Sequence, residues 1–195
     1  MKYEVIDNFL DEEYFDSLVT LFTVPVWPPI ISWGLVNQDE SKRGLESYEA
    51  GENEDQWGVK DEKIFYMIHV IYDYNIPTSS HYDMLLPLLK KLEVRCLMRL
   101  KVNLYPNTEI VHEHPYHTDN YFSHTGAILS LNTCDGYTKM ADGTKIDSVA
   151  NRILLFDASE KHAATNTTNA FARFNINMNF LSCRLNEIEH KFNWN

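Results

Sequence analysis

Residues 171–181 read Phe-Ala-Arg-Phe-Asn-Ile-Asn-Met-Asn-Phe-Leu and constrain the fold more than any other stretch. From Arg173 onward, polar and apolar side chains alternate. A period of two belongs to an extended strand, whose successive side chains point to opposite faces. One face carries Arg173, Asn175, Asn177 and Asn179; the other carries Phe174, Ile176, Met178 and Phe180. The apolar face calls for a covering layer of helices or a second sheet. An Arg and three amides suit neither a dry core nor an ordinary solvated surface, so that face is expected to line a polar pocket.

The chain before this strand supplies both layers. Residues 3–10 read as a short strand and turn, and Asp11 as the N-cap of a helix over 12–22 with Phe15, Leu18, Val19 and Phe22 as its stripe. Pro25, and then Pro28-Pro29, end it. Phe65–Tyr74 reads as a strand. Ser79-Ser80 read as caps of a helix over about 81–92, with Pro87 implying a later start, and Arg95–Tyr105 as the next strand. From there the pattern is β: strands at 109–117, 125–132, 136–140, 145–149, 152–157 and 161–166 precede the last, with Asp142-Gly143 as a hairpin turn. Short strands at this spacing point to a sandwich or jelly roll, mainly β with supporting helices.

The 195 residues fit one domain: a supporting part at 1–94, a β core at 95–181 and a tail at 182–195. Between 37 and 62 the composition changes to nine acidic against three basic residues, with Tyr48 and Trp57 as isolated aromatics. This segment reads as a solvated insertion, with a lid over a site as the functional alternative. The net charge of −11 disfavours a nucleic-acid partner. No apolar run near 18 residues and no leader pattern are present, so no membrane association is expected. Cys96, Cys134 and Cys183 are widely spaced, which suits a reducing cytoplasm. Arg95, Arg99 and Lys101 share one strand face, read as solvated or salt-bridged. Nothing in the sequence sets the oligomeric state.

Chemistry centres on His117-Thr118-Asp119. On an extended strand, positions two apart place an imidazole and a carboxylate on one face, where both can reach one metal ion. His162, 43 residues on and on another expected strand, supplies a third ligand. Two His and one carboxylate with open positions is the arrangement of non-haem Fe(II) oxygen chemistry. Arg173, 11 residues further, is the lone charge on its face, and a buried Arg demands an anion that its planar fork can grip. A metal with open positions beside such an Arg is a site for a chelating dicarboxylate, with Asn175 as a second contact. The rival His81-Tyr82-Asp83 sits at a helix start, where i and i+2 diverge and Asp83 is explained by the helix N-terminus. His112, His114 and His124 crowd the candidate as residues of its surroundings, or as a zinc-binding patch. His69 and His190 read as structural.

These residues carry a resemblance. Ile6-Asp7-Asn8-Phe9-Leu10, Asn103-Leu104-Tyr105-Pro106, His117-Thr118-Asp119-Asn120, Ala127–Asn132, Asn151–Phe156, His162 and Arg173 together resemble the Fe(II)- and 2-oxoglutarate-dependent oxygenases, in their prolyl-hydroxylase-like branch. His114-Pro115-Tyr116-His117-Thr118-Asp119 and Asp135-Gly136-Tyr137-Thr138 are similar to members carried by marine phages, which would place the protein in a host cytoplasm. The resemblance implies a double-stranded β-helix, with His117, Asp119 and His162 as iron ligands and catalytic residues. Arg173 would pair with the distal carboxylate of 2-oxoglutarate, and Tyr105 would contact the same cosubstrate. Asn107 stands where the family's Tyr-Pro-Gly has its Gly, and Ser130 where prolyl hydroxylases often have a Tyr. The implied cofactors are Fe(II), 2-oxoglutarate and O2, with ascorbate as a supporting reductant. The reaction would be hydroxylation of a protein or peptide residue, proline foremost, across a groove bordered by 33–60. A free amino acid or small metabolite in a closed pocket is the alternative; a metal-binding jelly roll without turnover is the reading from another class.

Overall fold

The structure is a computed structural model and describes residues 3–24, 31–37 and 65–182. The acidic segment after Asn37 with its Tyr48 and Trp57, the Pro28-Pro29 pair, Cys183, His190 and the tail beyond Ser182 lie outside the described residues.

Strands β1 (Tyr3–Ile6), β2 (Gly34–Asn37), β3 (Phe65–Asp73), β4 (Ile76–Pro77), β5 (Val94–Pro106), β6 (Thr125–Ser130), β7 (Tyr137–Met140), β8 (Lys145–Asp147), β9 (Ile153–Asp157), β10 (His162–Ala164) and β11 (Ala172–Ser182) form two sheets. The larger runs β1-β9-β6-β11-β5-β3-β2, with β4 hairpinned onto β3; the smaller runs β10-β7-β8. Every strand pair is antiparallel. Ile128, Leu154 and Phe156 of the large sheet pack with Met140 of the small one, so the two sheets face each other as in a jelly roll.

The outer face of the large sheet holds the helices. Helix α1 (Glu12–Thr23) begins at Asp11, whose side chain accepts the Tyr14 N–H, and buries Phe15, Leu18 and Phe22. It stops one residue before Val24, which is extended as a residue preceding proline must be. The expected helix over 81–92 divides into a 3-10 turn at Tyr82–Leu85 and α2 (Leu86–Lys91). Pro87 stands in the first turn of α2, where its missing N–H costs nothing. The buried residues Leu85, Leu88, Leu89 and Leu92 join Phe174, Ile176, Met178 and Phe180 of β11 in one core. Fully burying a side chain of this size contributes roughly 1.5–3 kcal/mol, so the apolar half of β11 anchors the sheet to its helices.

Three joints matter for the site. Asn151, at φ 60°, returns its amide to the chain end of the first layer: Leu10 N–H donates to Asn151 Oδ1 and Asn151 Nδ2 donates to Leu10 O, both at 2.8 Å. With the Arg152–Asp7 ion pair, this ties 7–10 to the start of β9. Gly143, at φ 86°, makes the β7–β8 turn after Asp142, as its dipeptide predicts. Tyr74 and Asn75 both have positive φ and turn β3 into β4, so the strand ends at Asp73 rather than at Tyr74.

One expected strand is corrected. Residues 109–117 form no regular strand but touch the chain opposite at intervals, through bridges Glu113–Thr165 and His117–His162. Pro115 has no N–H for a ladder, and it separates a single bond, His114 N–H to Ala164 O, from the reciprocal pair between His117 and His162. Among the described residues, no helix is long and apolar enough to cross a membrane.

Candidate metal and anion site between the sheets

The inner face of the large sheet follows from register. On β11, Arg173, Asn175, Asn177 and Asn179 stand opposite Tyr105, Asn103, Lys101 and Arg99 of β5. On the other side, Asn175, Asn177 and Asn179 stand opposite Ser130, Ile128 and Gly126 of β6. All four polar residues of β11 are buried, as the alternation in the sequence requires of a pocket face. Asn103 Nδ2 donates to Asn175 Oδ1 at 2.8 Å.

His117, Asp119 and His162 meet at one end of this face. Their candidate ligand atoms all lie within 4.8 Å of one another, and among the described residues this is the group of three His, Cys, Asp or Glu side chains that could hold a metal ion. Position comes from backbone pairing rather than from a strand shared by His117 and Asp119. His117 and His162 exchange N–H···O bonds of 2.9 Å in both directions, and Asp119 N–H donates to Ala158 O. The Nδ1 atoms of both imidazoles lie beside carbonyls two residues back, Pro115 O at 3.3 Å and Glu160 O at 3.0 Å. A carbonyl there selects the Nδ1–H tautomer and leaves each Nε2 lone pair free. The His162 ring sits edge-on to Phe156.

Asp119 has a side chain 4% exposed. Its Oδ1 accepts from Arg99 NH2 at 2.9 Å, while Oδ2 is buried with no partner. Burial works to raise this carboxyl, but Arg99, with His162, His117 and Lys101 behind it, holds it far below the usual carboxylate range. Although 46% of the His117 side chain is exposed, the packing around its ring, and then His162, push it down to about 4. A carboxylate and two imidazoles, each ring with its Nδ1 beside a backbone carbonyl and its Nε2 turned away from it, are a donor set for a divalent transition metal.

At the other end lies Arg173, 1% exposed. Its NH1 donates to Tyr137 O at 2.8 Å and Thr165 O at 2.9 Å, and NH2 donates to Thr138 Oγ1 at 2.9 Å. The guanidinium carbon stands 5.5 Å from the centre of the Tyr105 ring. Tyr105 stacks on Tyr66, and His114 abuts both rings edge-on. Among the described residues Arg173 has no carboxylate partner, and its Nε is a buried donor without an acceptor. Burial lowers its pKa. Gly136 lets β7 pass this close: a Cβ there would stand 2.5 Å from Asn166 O and 2.7 Å from Arg173 Cδ.

Other residues of the sequence reading fall as follows. His69 bonds Ser32 O and Ser79 Oγ and is structural. His81 and Asp83 lie at the 3-10 turn, away from the metal-binding group. His114 and His124 are buried, each with an orphaned Nε2, while His112 lies outside the group of three. Arg95 is exposed and Arg99 is salt-bridged, both as expected, but a single shared face is corrected: Arg99 and Lys101 turn into the space between the sheets. The bulge between Asn179 and Phe180, opposite Arg99 and Leu97, separates them from the outer end of β5. The signal was available, since 99, 101 and 103 share parity with Tyr105.

Neither family models nor curated proteins give a match to the sequence. Solved structures do match in fold. An oxidoreductase of the 2OG-Fe(II) oxygenase family from Burkholderia pseudomallei superposes with a TM-score of 0.60 at 13% identity, covering 92% of this chain and 84% of that one. A prolyl-4-hydroxylase from Pseudomonas putida gives 0.53 at 16%, covering 92% of each chain. The viral collagen prolyl hydroxylase of Paramecium Bursaria Chlorella virus-1, solved as its 2OG complex, gives 0.51 at 14%, covering 92% and 95%. At such identities the likeness is one of fold: the chain has the jelly roll expected from its sequence.

Proposed function

We propose that the chain is an Fe(II)- and 2-oxoglutarate-dependent dioxygenase that hydroxylates a protein or peptide residue, proline foremost. The observation that carries this reading is a pairing of two features on one inner face. A His-Asp-His group has its ligand atoms within 4.8 Å, and a buried arginine has no carboxylate partner among the described residues. A plain metal-binding module has no use for the second feature. The solved structures of like fold include prolyl hydroxylases, one of them holding a peptide of hypoxia inducible factor.

In this reading His117 Nε2, His162 Nε2 and Asp119 Oδ2 hold the iron. The orphaned Oδ2 fits that role, because a buried carboxylate oxygen without a partner is costly unless something binds it. Arg173 takes the distal carboxylate of 2-oxoglutarate, and the Tyr137 and Thr165 carbonyls hold its fork in one orientation. Tyr105 covers the guanidinium, and burial keeps its phenol protonated, available as a donor to the same carboxylate. Asn175 is turned toward Asn103 and lines the path between the two ends. Ile128, Met140, Leu154 and Phe156 form an apolar wall that excludes water. When bound, iron and cosubstrate supply the coupling of O2 reduction and 2-oxoglutarate decarboxylation to hydroxylation; the protein supplies position and dryness.

Exposed aromatics on both sides of the His117–Asp119 turn, Tyr116, Tyr121 and Phe122, give a peptide apolar surface to lie on. A free amino acid or other small metabolite is the second reading, favoured by the cationic inner wall considered below. The test is succinate formation from 2-oxoglutarate with Fe(II) and ascorbate, measured with proline-containing peptides, with free L-proline and alone. Peptide-stimulated turnover is expected. Absence of 2-oxoglutarate binding together with absence of succinate in every arm would sink the proposal.

A further inference from the structure

Between the metal-binding group and Arg173, the inner face holds more positive charge than those two features use. Among the described residues it carries three basic side chains, Arg99, Lys101 and Arg173, against one carboxylate, Asp119. A divalent metal and a dicarboxylate dianion cancel each other, so loading the site as proposed above leaves this surplus in place. Arg99 is half engaged: NH2 meets Asp119, while Nε is buried without an acceptor. Lys101 has no carboxylate within ion-pair distance among the described residues, and its ammonium stands 5.9 Å from the centre of the Tyr66 ring. Across the strand pair, Asn179 is 1% exposed and neither its Oδ1 nor its Nδ2 has a partner; Asn177 Oδ1 is likewise orphaned. The donors Lys101 Nζ, Arg99 Nε and Asn179 Nδ2 therefore lie on two adjacent strands at neighbouring register positions. Cations turned in between two sheets and buried, orphaned amides are retained where something anionic completes them.

We propose that Lys101 and Arg99, with Asn179 opposite, form a second anion site on the same inner face, which receives a carboxylate of the molecule to be oxidised. The proposal rests on the metal and 2-oxoglutarate reading and sharpens it: the primary substrate is an acid. Its carboxylate belongs either to a free amino acid or to an acidic side chain of a peptide, and the same three donors recognise both. The whole protein is strongly acidic, at net charge −11, so the cationic surplus is local to this face and not a property of the chain as a whole.

The test uses the full chain loaded with Mn(II) and N-oxalylglycine, which fills the cosubstrate position without turnover. Loading is confirmed by thermal shift. The probes are acetate and acetamide, equal in size and differing in charge, and the readout is paramagnetic relaxation of their methyl protons by Mn(II). Acetate is expected to relax at least fivefold faster than acetamide in the wild type. The preference should vanish in Lys101→Met and persist in Lys101→Arg. Equal relaxation of the two probes, or an undiminished preference in Lys101→Met, overturns the proposal. So does a loss of N-oxalylglycine affinity in Lys101→Met as large as in Arg173→Met, because the lysine would then hold the cosubstrate. If Mn(II) and N-oxalylglycine fail to bind the wild type, the underlying reading falls and this one with it. Displacement of acetate by L-proline or L-glutamate assigns the site to free amino acids. Displacement by a blocked peptide with an internal Glu, but not by its Gln counterpart, assigns it to a peptide acid.

Discussion

Two arginines mark the two ends of one polar face and are held in opposite ways. Arg173 is almost fully buried and bonded to neutral acceptors, two backbone carbonyls and a threonine hydroxyl. Its orientation is fixed while its charge is left unneutralised. Arg99 has a side chain 31% exposed and rests against the carboxylate of Asp119. Its charge is matched, and what it fixes is the state of its partner: Asp119 stays ionised despite burial. A buried guanidinium surrounded by neutral oxygens is prepared for an incoming anion. One already paired with a carboxylate prepares that carboxylate for something else.

Removing the carboxylate breaks the comparison most completely. Asp119→Ala takes away a proposed metal ligand and strands Arg99, but leaves every bond of Arg173 in place. Metal affinity, followed by titration with Mn(II), should fall at least a hundredfold and succinate formation should disappear. If Asp119→Ala kept wild-type metal affinity, His117 and His162 would be holding the ion with some other partner.

Exchanging the arginines separates their roles. Charge-assisted hydrogen bonds contribute roughly 1.5–3 kcal/mol, or about 10- to 150-fold in an equilibrium constant. Arg173→Met should weaken N-oxalylglycine binding by about that factor and leave the intrinsic metal affinity within a fewfold. Arg99→Met should do the reverse, because Asp119 loses the cation that offsets its burial. Titration calorimetry of both variants with Mn(II), then with N-oxalylglycine, checks this; equal effects of the two substitutions on both ligands would erase the distinction.

A smaller effect is expected from Gly136→Ala, which touches Arg173 without altering it. A methyl group there meets the Asn166 carbonyl oxygen at 2.5 Å and Arg173 Cδ at 2.7 Å. Overpacking of this kind costs about 1–3 kcal/mol, read as a fall in melting temperature, and should weaken N-oxalylglycine binding more than Mn(II) binding. An unchanged melting temperature would show that β7 has room to move away.

Much of this face was legible in the sequence because strand parity is strict. Arg173, Asn175, Asn177 and Asn179 were assigned to one polar face from alternation alone, and they share one buried inner face. The His117–Asp119 pair was found for a partly mistaken reason. No strand holds both; His162 and Ala158 place them through backbone bonds from another part of the chain. Such pairing depends on contacts some 40 residues apart and leaves no periodic trace. Arg99 was expected to be solvated or salt-bridged and is salt-bridged, but the inward turn of Arg99 and Lys101 was missed, because charged side chains on a strand are solvated in most settings and only their parity with Tyr105 argued otherwise. The Asn151 link to Leu10 likewise has no local pattern, since an αL asparagine is determined by what it must reach.

His114 offers the finest probe of the contrast. Burial first, then the Arg173 charge, then His117 and His112 push its imidazole down to about 4. Arg99 is not among these causes. Arg173→Met should therefore raise the His114 pKa by a fraction of a unit, and Arg99→Met should leave it where it is, as read from imidazole nitrogen shifts in metal-free protein. The linkage runs one way. An unfolded His114 titrates near 6.5 and the native one near 4, so between these values the unfolded chain binds more protons. The stabilisation is complete above pH 6.5 and is lost as the pH falls toward 4, amounting to about 2 kcal/mol of loss by pH 5. Urea unfolding at pH 7.5 and pH 5 should show this loss in the wild type and a smaller one in His114→Gln. If Arg173→Met leaves the His114 titration unmoved, the Arg173 charge is already neutralised in the native protein, and the two arginines do not differ in the way their surroundings imply.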